Sequence, residues 1–296
     1  MRFTLRQLQI FLATAHVENI SKAADSLAMS QSAASSALKE LEQMYDVQLF
    51  DRVGKRLQLN EQGRLLRPKA QALIAQAEEL EHMLAKHVQT GSIQVGATLT
   101  IGNYLAVGIM ARMMRENPDT EVRLEVANTA AIVKKVLNFE LDLGLIEGEF
   151  QHPDLEVMPW LDDELAVFCS PEHPLASKEQ LSDKDLKNVQ WILRETGSGT
   201  RQAFDRAMHG ILSDLHVMLE LQHTEAIKRA VETNLGIGCL SKVALTDAFK
   251  RGSLIQLNVP HRVFDRKFYI ILHKQKYRTA GINRWIELCN ATKPLL

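Results

Sequence analysis

Between residues 21 and 45, small and apolar positions fall at helical spacing in two short runs separated by a break. Ala23, Ala24 and Leu27 form the inner face of the first run, with Ser21 as its expected N-cap. Met29 and Ser30 carry the turn, and Ser30 caps a second helix in which Ala34, Leu38 and Leu41 recur on one side. The other side carries Gln31, Ser32, Ser35, Ser36 and Lys39. These short hydroxyls, one amide and one cation reach base edges and phosphate without holding the backbone out of a groove. The pattern reads as a helix-turn-helix for the major groove of double-stranded DNA. A plain helical hairpin packed through small residues is its alternative. Apolar Leu49, Phe50, Leu57 and Leu59 then flank Arg52, Lys55 and Arg56 around Gly54, which predicts a short ribbon with a basic turn. Beside a reading helix, such a wing grips the sugar-phosphate backbone.

From Glu61 to about His87, Leu66, Ala70, Leu73, Ala77, Leu80 and Leu84 alternate steps of four and three, a heptad seam on a helix roughly 40 Å long. Nothing nearby in the chain is expected to cover that seam, so two copies should pair through it; a helix lying on the following domain is the alternative. Gly91 ends the region, and the pattern changes to alternating strands and helices. Strands are predicted at 93–97, 121–127, 143–147, 164–170, 190–193, 217–221, 236–240 and 267–273. The alternation argues α/β architecture with mostly parallel strands, and a turn at Trp160–Asp163 divides it into two lobes.

In α/β lobes, ligands sit beyond the carboxyl ends of the strands, where helix N-termini point. Thr98, Leu99 and Thr100 follow the first of these strands and precede a helix from Gly102. Gly197, Ser198, Gly199 and Thr200 stand at the corresponding place in the second lobe, before a helix over 201–209, with Arg201 as the motif's one fixed positive charge. Each is an ordinary loop and cap when taken alone. Facing each other across a cleft, they make a pocket for a small oxyanion or carboxylate. Glu147 and Glu195 at neighbouring strand ends can orient an amine or water, or be solvated or paired with arginine, and His223, Thr224 and Glu225 border the pocket.

Composition narrows the classes. The 296 residues carry a net charge of only -1, and residues 1–70 hold ten Lys or Arg against seven Asp or Glu, so DNA affinity must be summed over several modules. No leading stretch looks like an export signal and no apolar run spans a bilayer, so a cytoplasmic location and no membrane partner are expected. Cys169, Cys239 and Cys289 lack metal-ligand spacing and sit among apolar residues, as buried thiols do; a redox sensor is the minority reading. No cluster of nucleophile and base, no phosphate-cradling loop and no dinucleotide fingerprint stands out, so neither an enzyme nor a cofactor is expected.

The order and spacing of LRQLQIF, SKAADSLAMSQSAASSALKELE and LFDRVGKRLQLNEQG resemble the LysR-type transcriptional regulators from Thr4 to Gly63. TLTIGNY at 98–104, IEG at 146–148, WILRETGSGTR at 191–201 and GIGCLS at 236–241 extend the resemblance over nearly the whole chain. It implies an N-terminal all-α winged helix-turn-helix at 1–60, a linker helix at 61–90 that dimerises, and a two-lobed effector domain at 91–296. That domain would be periplasmic-binding-protein-like, with lobe I at 91–162 and 267–296, lobe II at 163–266, and a second crossing near Val263–Lys267. The resemblance further implies a homodimer or homotetramer, a small anionic effector that controls operator binding, and contact with RNA polymerase. A solute-binding or sensory protein without transcriptional activation is the alternative reading.

Overall fold

The computed structural model describes residues 2–54, 56–84 and 92–292. Lys55, Gly91 and the last part of the expected linker helix lie outside the described residues.

The N-terminal unit packs helices α1 (Leu5–Val17), α2 (Ile20–Ser26) and α3 (Gln31–Tyr45) against a ribbon of β1 (Phe50–Val53) and β2 (Arg56–Leu59). α1 begins in a capping box in which the Thr4 hydroxyl accepts from Gln7 N and the Gln7 side chain accepts from Thr4 N. α2 starts earlier than its sequence pattern predicts: its cap is Asn19, whose side chain accepts from Ser21 N and Lys22 N, and Ser21 lies inside the helix. A side-chain amide oxygen one residue before the helix reaches two otherwise orphaned N–H groups, which a serine inside the helix has no geometry to do. The Ser30 hydroxyl caps α3 by accepting from Ala33 N. Ala24, Ala34, Leu38 and Leu41 pack on Leu8, Phe11 and Phe50, with the Phe11 and Phe50 rings 5.6 Å apart.

The linker helix α4 runs Glu61–Leu84. Its heptad seam has two parts with different neighbours. Ala70 and Ile74 are buried in the core of the N-terminal unit and Leu66 and Leu73 pack against it, so the first half is covered by its own chain, contrary to expectation. The helix sits on α1, which presents the apolar surface that the heptad pattern alone does not reveal. Leu80 and Leu84 remain 56% and 76% exposed. Near this end, the Glu79 carboxylate accepts from the Tyr277 hydroxyl at 2.7 Å, tying the linker to the effector unit.

Lobe I is built from β3 (Ser92–Ala97), the short α5 (Leu99–Ile101), a π turn at Gly102–Ala106, α6 (Val107–Glu116), β4 (Glu121–Val126), α7 (Thr129–Leu137) and β5 (Leu143–Glu147). α5, the π turn and α6 form one continuous helical run from Leu99, so this helix begins three residues before the predicted Gly102, with Thr98 as cap. β6 (Leu155–Cys169) follows as a single strand of 15 residues, and the turn expected at Trp160–Asp163 is absent. Lobe II comprises α8 (Asp183–Lys187), β7 (Gln190–Arg194), α9 (Gly199–Ala207), β8 (His216–Leu221), α10 (Thr224–Glu232), β9 (Ile237–Ser241), α11 (Lys242–Arg251) and β10 (Ile255–Leu257). β11 (Asp265–His273) and α12 (Ala280–Asn290) complete the described chain.

The strand order is β4-β3-β5-β11-β6-β9-β7-β8, with β10 on β6. Pairing is parallel among β3, β4 and β5 in lobe I and among β7, β8 and β9 in lobe II, as expected, and antiparallel wherever β6 or β11 takes part. β6 pairs with β11 through Glu164 and with β9 from Leu165, which carries it from one lobe into the other. β11 makes the return from Asp265. Each lobe buries both sheet faces: Trp285 and Met113 lie on one face of lobe I, Ile132 and Val136 on the other. Trp191 and Phe204, 4.9 Å apart and edge-on, anchor one side of lobe II. All three cysteines are buried in these cores, where burial pushes their thiols upward, Cys169 to about 11. Such thiols are poor nucleophiles.

Candidate functional site

On the N-terminal unit, α3 turns Ala34 and Leu38 inward and leaves Gln31, Ser32, Ser35, Ser36 and Lys39 exposed together on the outside. Ser30 is also exposed, with its hydroxyl 3.1 Å from that of Ser32. Arg52 and Arg56 stand exposed on the two strands of the wing, in the register Val53↔Arg56 and Arg52↔Leu57. Arg56 has Glu18 at 3.6 Å, with both side chains open to water, an ion pair weak enough to exchange for phosphate. Gly54 turns the ribbon with φ +62°. Arg6, which the sequence reading did not single out, donates to the Leu27 carbonyl at 2.7 Å and holds the turn between the two helices.

At the junction of the lobes, the structure brings the predicted residues of lobe I and lobe II into direct contact, with an arrangement that sequence did not reveal. Glu147 ends β5 and is 1% exposed. One of its carboxylate oxygens accepts from Thr100 N at 2.8 Å; the other accepts from the Thr200 hydroxyl at 2.9 Å and from Arg266 Nη1 at 2.8 Å. Arg266, at the start of β11, also donates from Nη1 to the Thr200 hydroxyl at 3.0 Å and from Nε to Asp163 at 2.6 Å. Asp163, in turn, accepts from the Ser241 hydroxyl at 2.7 Å. Burial alone would push the Glu147 carboxyl up, but Arg266, Arg194 and the hydrogen bonds from Thr100 and Thr200 outweigh it and hold the group down at about 2. It is therefore a carboxylate at any physiological pH.

The close fit explains the glycines. A Cβ at Gly199 would stand 2.0 Å from the Glu147 carbonyl oxygen, so only glycine lets α9 approach lobe I. Gly197 has φ +90°, and its carbonyl accepts from Ala130 N at 3.2 Å, again between lobes. The Ser198 hydroxyl caps α9 by accepting from Thr200 N. Leu99 is buried in the first turn of α5.

Two predicted residues turn elsewhere. Arg201 directs its guanidinium to Asp205 and Glu220, both at 2.8 Å, and to the Arg194 carbonyl, all within lobe II; a residue three past the cap projects sideways from the helix rather than along its axis. Glu195 is held in a two-pronged pair by Arg194 at 2.8 and 3.0 Å. The guanidinium that reaches the lobe junction is that of Arg266, with Arg194 acting on Glu147 by its charge, whereas Arg201 stays within lobe II. Arg266 and Asp163 escaped the sequence reading because each sits inside a strand that passes between lobes; the runs of three charges flanked by apolar residues in RVFDRKF and LDDELAV were the available signal.

Farther along the junction, Tyr104 in the π turn lies 3.4 Å from Glu225 on α10, and Lys228, 8% exposed, pairs with the same carboxylate at 2.7 Å. Burial, then Glu225 and Asp247, push the Tyr104 phenol up to about 12. His223 precedes α10 exposed and makes no side-chain cap bond. Three buried polar atoms at or bordering the junction have no partner among the described residues: Thr98 Oγ1, Thr224 Oγ1 and Arg266 Nη2. Buried donors without partners are rare in folded proteins and mark places where a ligand or water completes the set.

A reader at one end and a hinged two-lobed unit at the other agree with the comparisons. The pattern of the bacterial regulatory helix-turn-helix protein, lysR family, matches residues 5–64, and that of the LysR substrate binding domain matches residues 86–293. The chain belongs to the LysR family of transcriptional regulators. It is similar to the HTH-type transcriptional regulator YeiE of Escherichia coli, with 40% identity over 290 residues that cover 98% of each chain. Full-length OxyR from Pseudomonas aeruginosa shares its fold, with a TM-score of 0.74, 24% identity and coverage of 98% of this chain and 94% of that one. The regulatory domain of Synechocystis CcmR in complex with 2-PG matches 68% of this LysR-family chain and 96% of its own, with 29% identity and a TM-score of 0.63. The LysR-family protein is thus a DNA-binding transcriptional regulator with an effector-binding domain, and nothing favours a solute-binding protein without a transcriptional role. None of its described helices is long and apolar enough to cross a membrane.

Proposed function

We propose that this regulator responds to a small oxyanion or carboxylate held between its lobes by Thr98, Thr100, Ser198, Thr200, the bordering Thr224 and, beyond the residues expected from sequence, Arg266. One observation carries this reading: Thr98 Oγ1, Thr224 Oγ1 and Arg266 Nη2 are buried donors without partners, contributed by lobe I, lobe II and the strand joining them. Leaving such groups unsatisfied costs about 1 to 3 kcal/mol each, so a compact acceptor that meets them is favoured. The 2-PG complex of the CcmR regulatory domain supports a small effector at the equivalent unit. The DNA contacts are assigned to Ser30, Gln31, Ser32, Ser35, Ser36 and Lys39 for the groove, with Arg52, Lys55 and Arg56 for the backbone. Two copies pair through the exposed Leu80–Leu84 end of α4, extending to a homotetramer, and effector binding resets the spacing of the readers and their contact with RNA polymerase in the cytoplasm. An effector that prefers one arrangement a hundredfold shifts the balance by about 2.7 kcal/mol.

The test is thermal unfolding and operator binding of the full chain with sulfate, sulfite, phosphate and acetate in turn. At a hundred times its dissociation constant, an effector stabilises by about 2.7 kcal/mol. Thr98→Val and Thr224→Val should each weaken that stabilisation and the DNA response together. A response equal to the parent's in both variants would put the effector elsewhere.

A further inference from the structure

The donors that face each other across the junction are not waiting for an anion; they already hold one. Thr100 N–H lies in the first turn of the helical run that starts at Leu99 in lobe I, the Thr200 hydroxyl stands at the start of α9 in lobe II, and Arg266 Nη1 comes from the strand joining the lobes. All three converge on the Glu147 carboxylate, at 2.8 to 2.9 Å. We infer that Glu147 is a built-in occupant of an anion seat, a tethered carboxylate that excludes simple monocarboxylates and yields only to an anion with more acceptors than its own. The inference rests on the reading of the junction as the effector site.

Three features lead there. First, the seat is satisfied by a single carboxylate, whereas Arg266 Nη2, Thr98 Oγ1 and Thr224 Oγ1 beside or bordering it are not, so the unmet donors lie beyond what Glu147 reaches. Second, a tethered group competes at an effective concentration in the millimolar range or higher, so a free formate or acetate, which can make only the bonds Glu147 already makes, gains nothing by replacing it. An oxyanion or carboxylate that also reaches the unmet donors does gain. Third, Arg266 between Glu147 and Asp163 leaves the trio with one excess negative charge, which further opposes any free anion while Glu147 stays in place.

The full chain and two variants test this. Glu147→Ala empties the seat with its donors in place; Glu147→Gln keeps the volume but removes the charge and, in either orientation of the amide, sets its NH2 against a donor, Thr100 N–H on one side or Arg266 on the other, which favours its leaving. Binding of formate and sulfate is measured by calorimetry and by the rise in unfolding temperature. Glu147→Ala should bind formate at least tenfold tighter than the parent and regain stability as formate saturates it, an effect removed by adding Thr200→Val. Glu147→Gln should bind sulfate at least tenfold tighter than the parent, and it decides the matter if the alanine variant does not fold. Anion binding no tighter than the parent's in the folded variants, or a gain indifferent to Thr200→Val, overturns the inference. If an oxyanion alters DNA binding by the parent while neither variant gains affinity, the seat falls and the effector cleft stands. If the variants gain affinity but no small anion alters DNA binding, the seat stands and the effector reading falls.

Discussion

Replacing Arg266 with methionine removes the charge that joins the two lobes and keeps most of the volume. The guanidinium is fully buried between Glu147 and Asp163, so the variant leaves two buried carboxylates without their counter-ion. Breaking a buried pair from one side costs about 3 to 5 kcal/mol. The depressed carboxyl points the same way: Glu147, held at about 2 by Arg266 together with Arg194, Thr100 and Thr200 against burial, contributes on the order of 3 kcal/mol at neutral pH, of which the Arg266 part is lost. For a unit of this size the unfolding temperature should fall by roughly 6 to 20 °C. The pH dependence separates this cause from a packing defect. In the parent, the folded-state value is depressed, so the Glu147 contribution is complete above pH 4.5 and is lost as the pH falls toward 2. In the variant, burial is opposed only by Arg194 and the hydrogen bonds from Thr100 and Thr200, so the carboxyl moves up from its parent value; the folded variant binds the proton at higher pH than the parent does, and the gap between them narrows on acidification. Adding Glu147→Gln should recover part of the loss at pH 7. Calorimetric unfolding at pH 7.5, 6 and 5 reads all three effects. A destabilisation under 1 kcal/mol at pH 7.5, or a gap from the parent that does not narrow on acidification, would refute the reasoning.

The DNA interface and the linker supply the other tests. Gln31→Ala and Ser35→Ala should weaken operator binding more than binding to random duplex, by about 1 to 3 kcal/mol where a base contact is lost; equal losses on both DNAs would contradict base reading. Arg52→Ala should lower affinity on every sequence and reduce the slope of log affinity against log salt by about 1, as titrations between low and moderate salt will tell. Leu80→Glu with Leu84→Glu places charge on the exposed end of α4 and should shift the assembly toward monomer in analytical ultracentrifugation, leaving the buried Ala70–Ile74 end intact; an unchanged sedimentation pattern would mean the pairing surface lies elsewhere.

Local chemistry carried much of the information about this chain. Alternation and helical spacing were enough to predict the reading helix and its Ser30 cap, because a cap serine and the face of α3 that packs on its own unit involve neighbours a few residues apart. The strand cores of both lobes were legible for the same reason, as continuous apolar runs between helical patterns. What the sequence did not disclose involves partners far apart along the chain. Arg266 lies 119 residues from Glu147 and 103 from Asp163, so no pattern within a window of ten or twenty residues could pair them. Likewise, Leu66 and Ala70 look like half of an intermolecular seam until α1 is folded against them. Thr98, Glu147 and Thr200 were legible as polar residues at strand and helix ends, yet only the tertiary structure decided that Glu147 fills the space between the helix starts, since that depends on how two separately folded lobes meet.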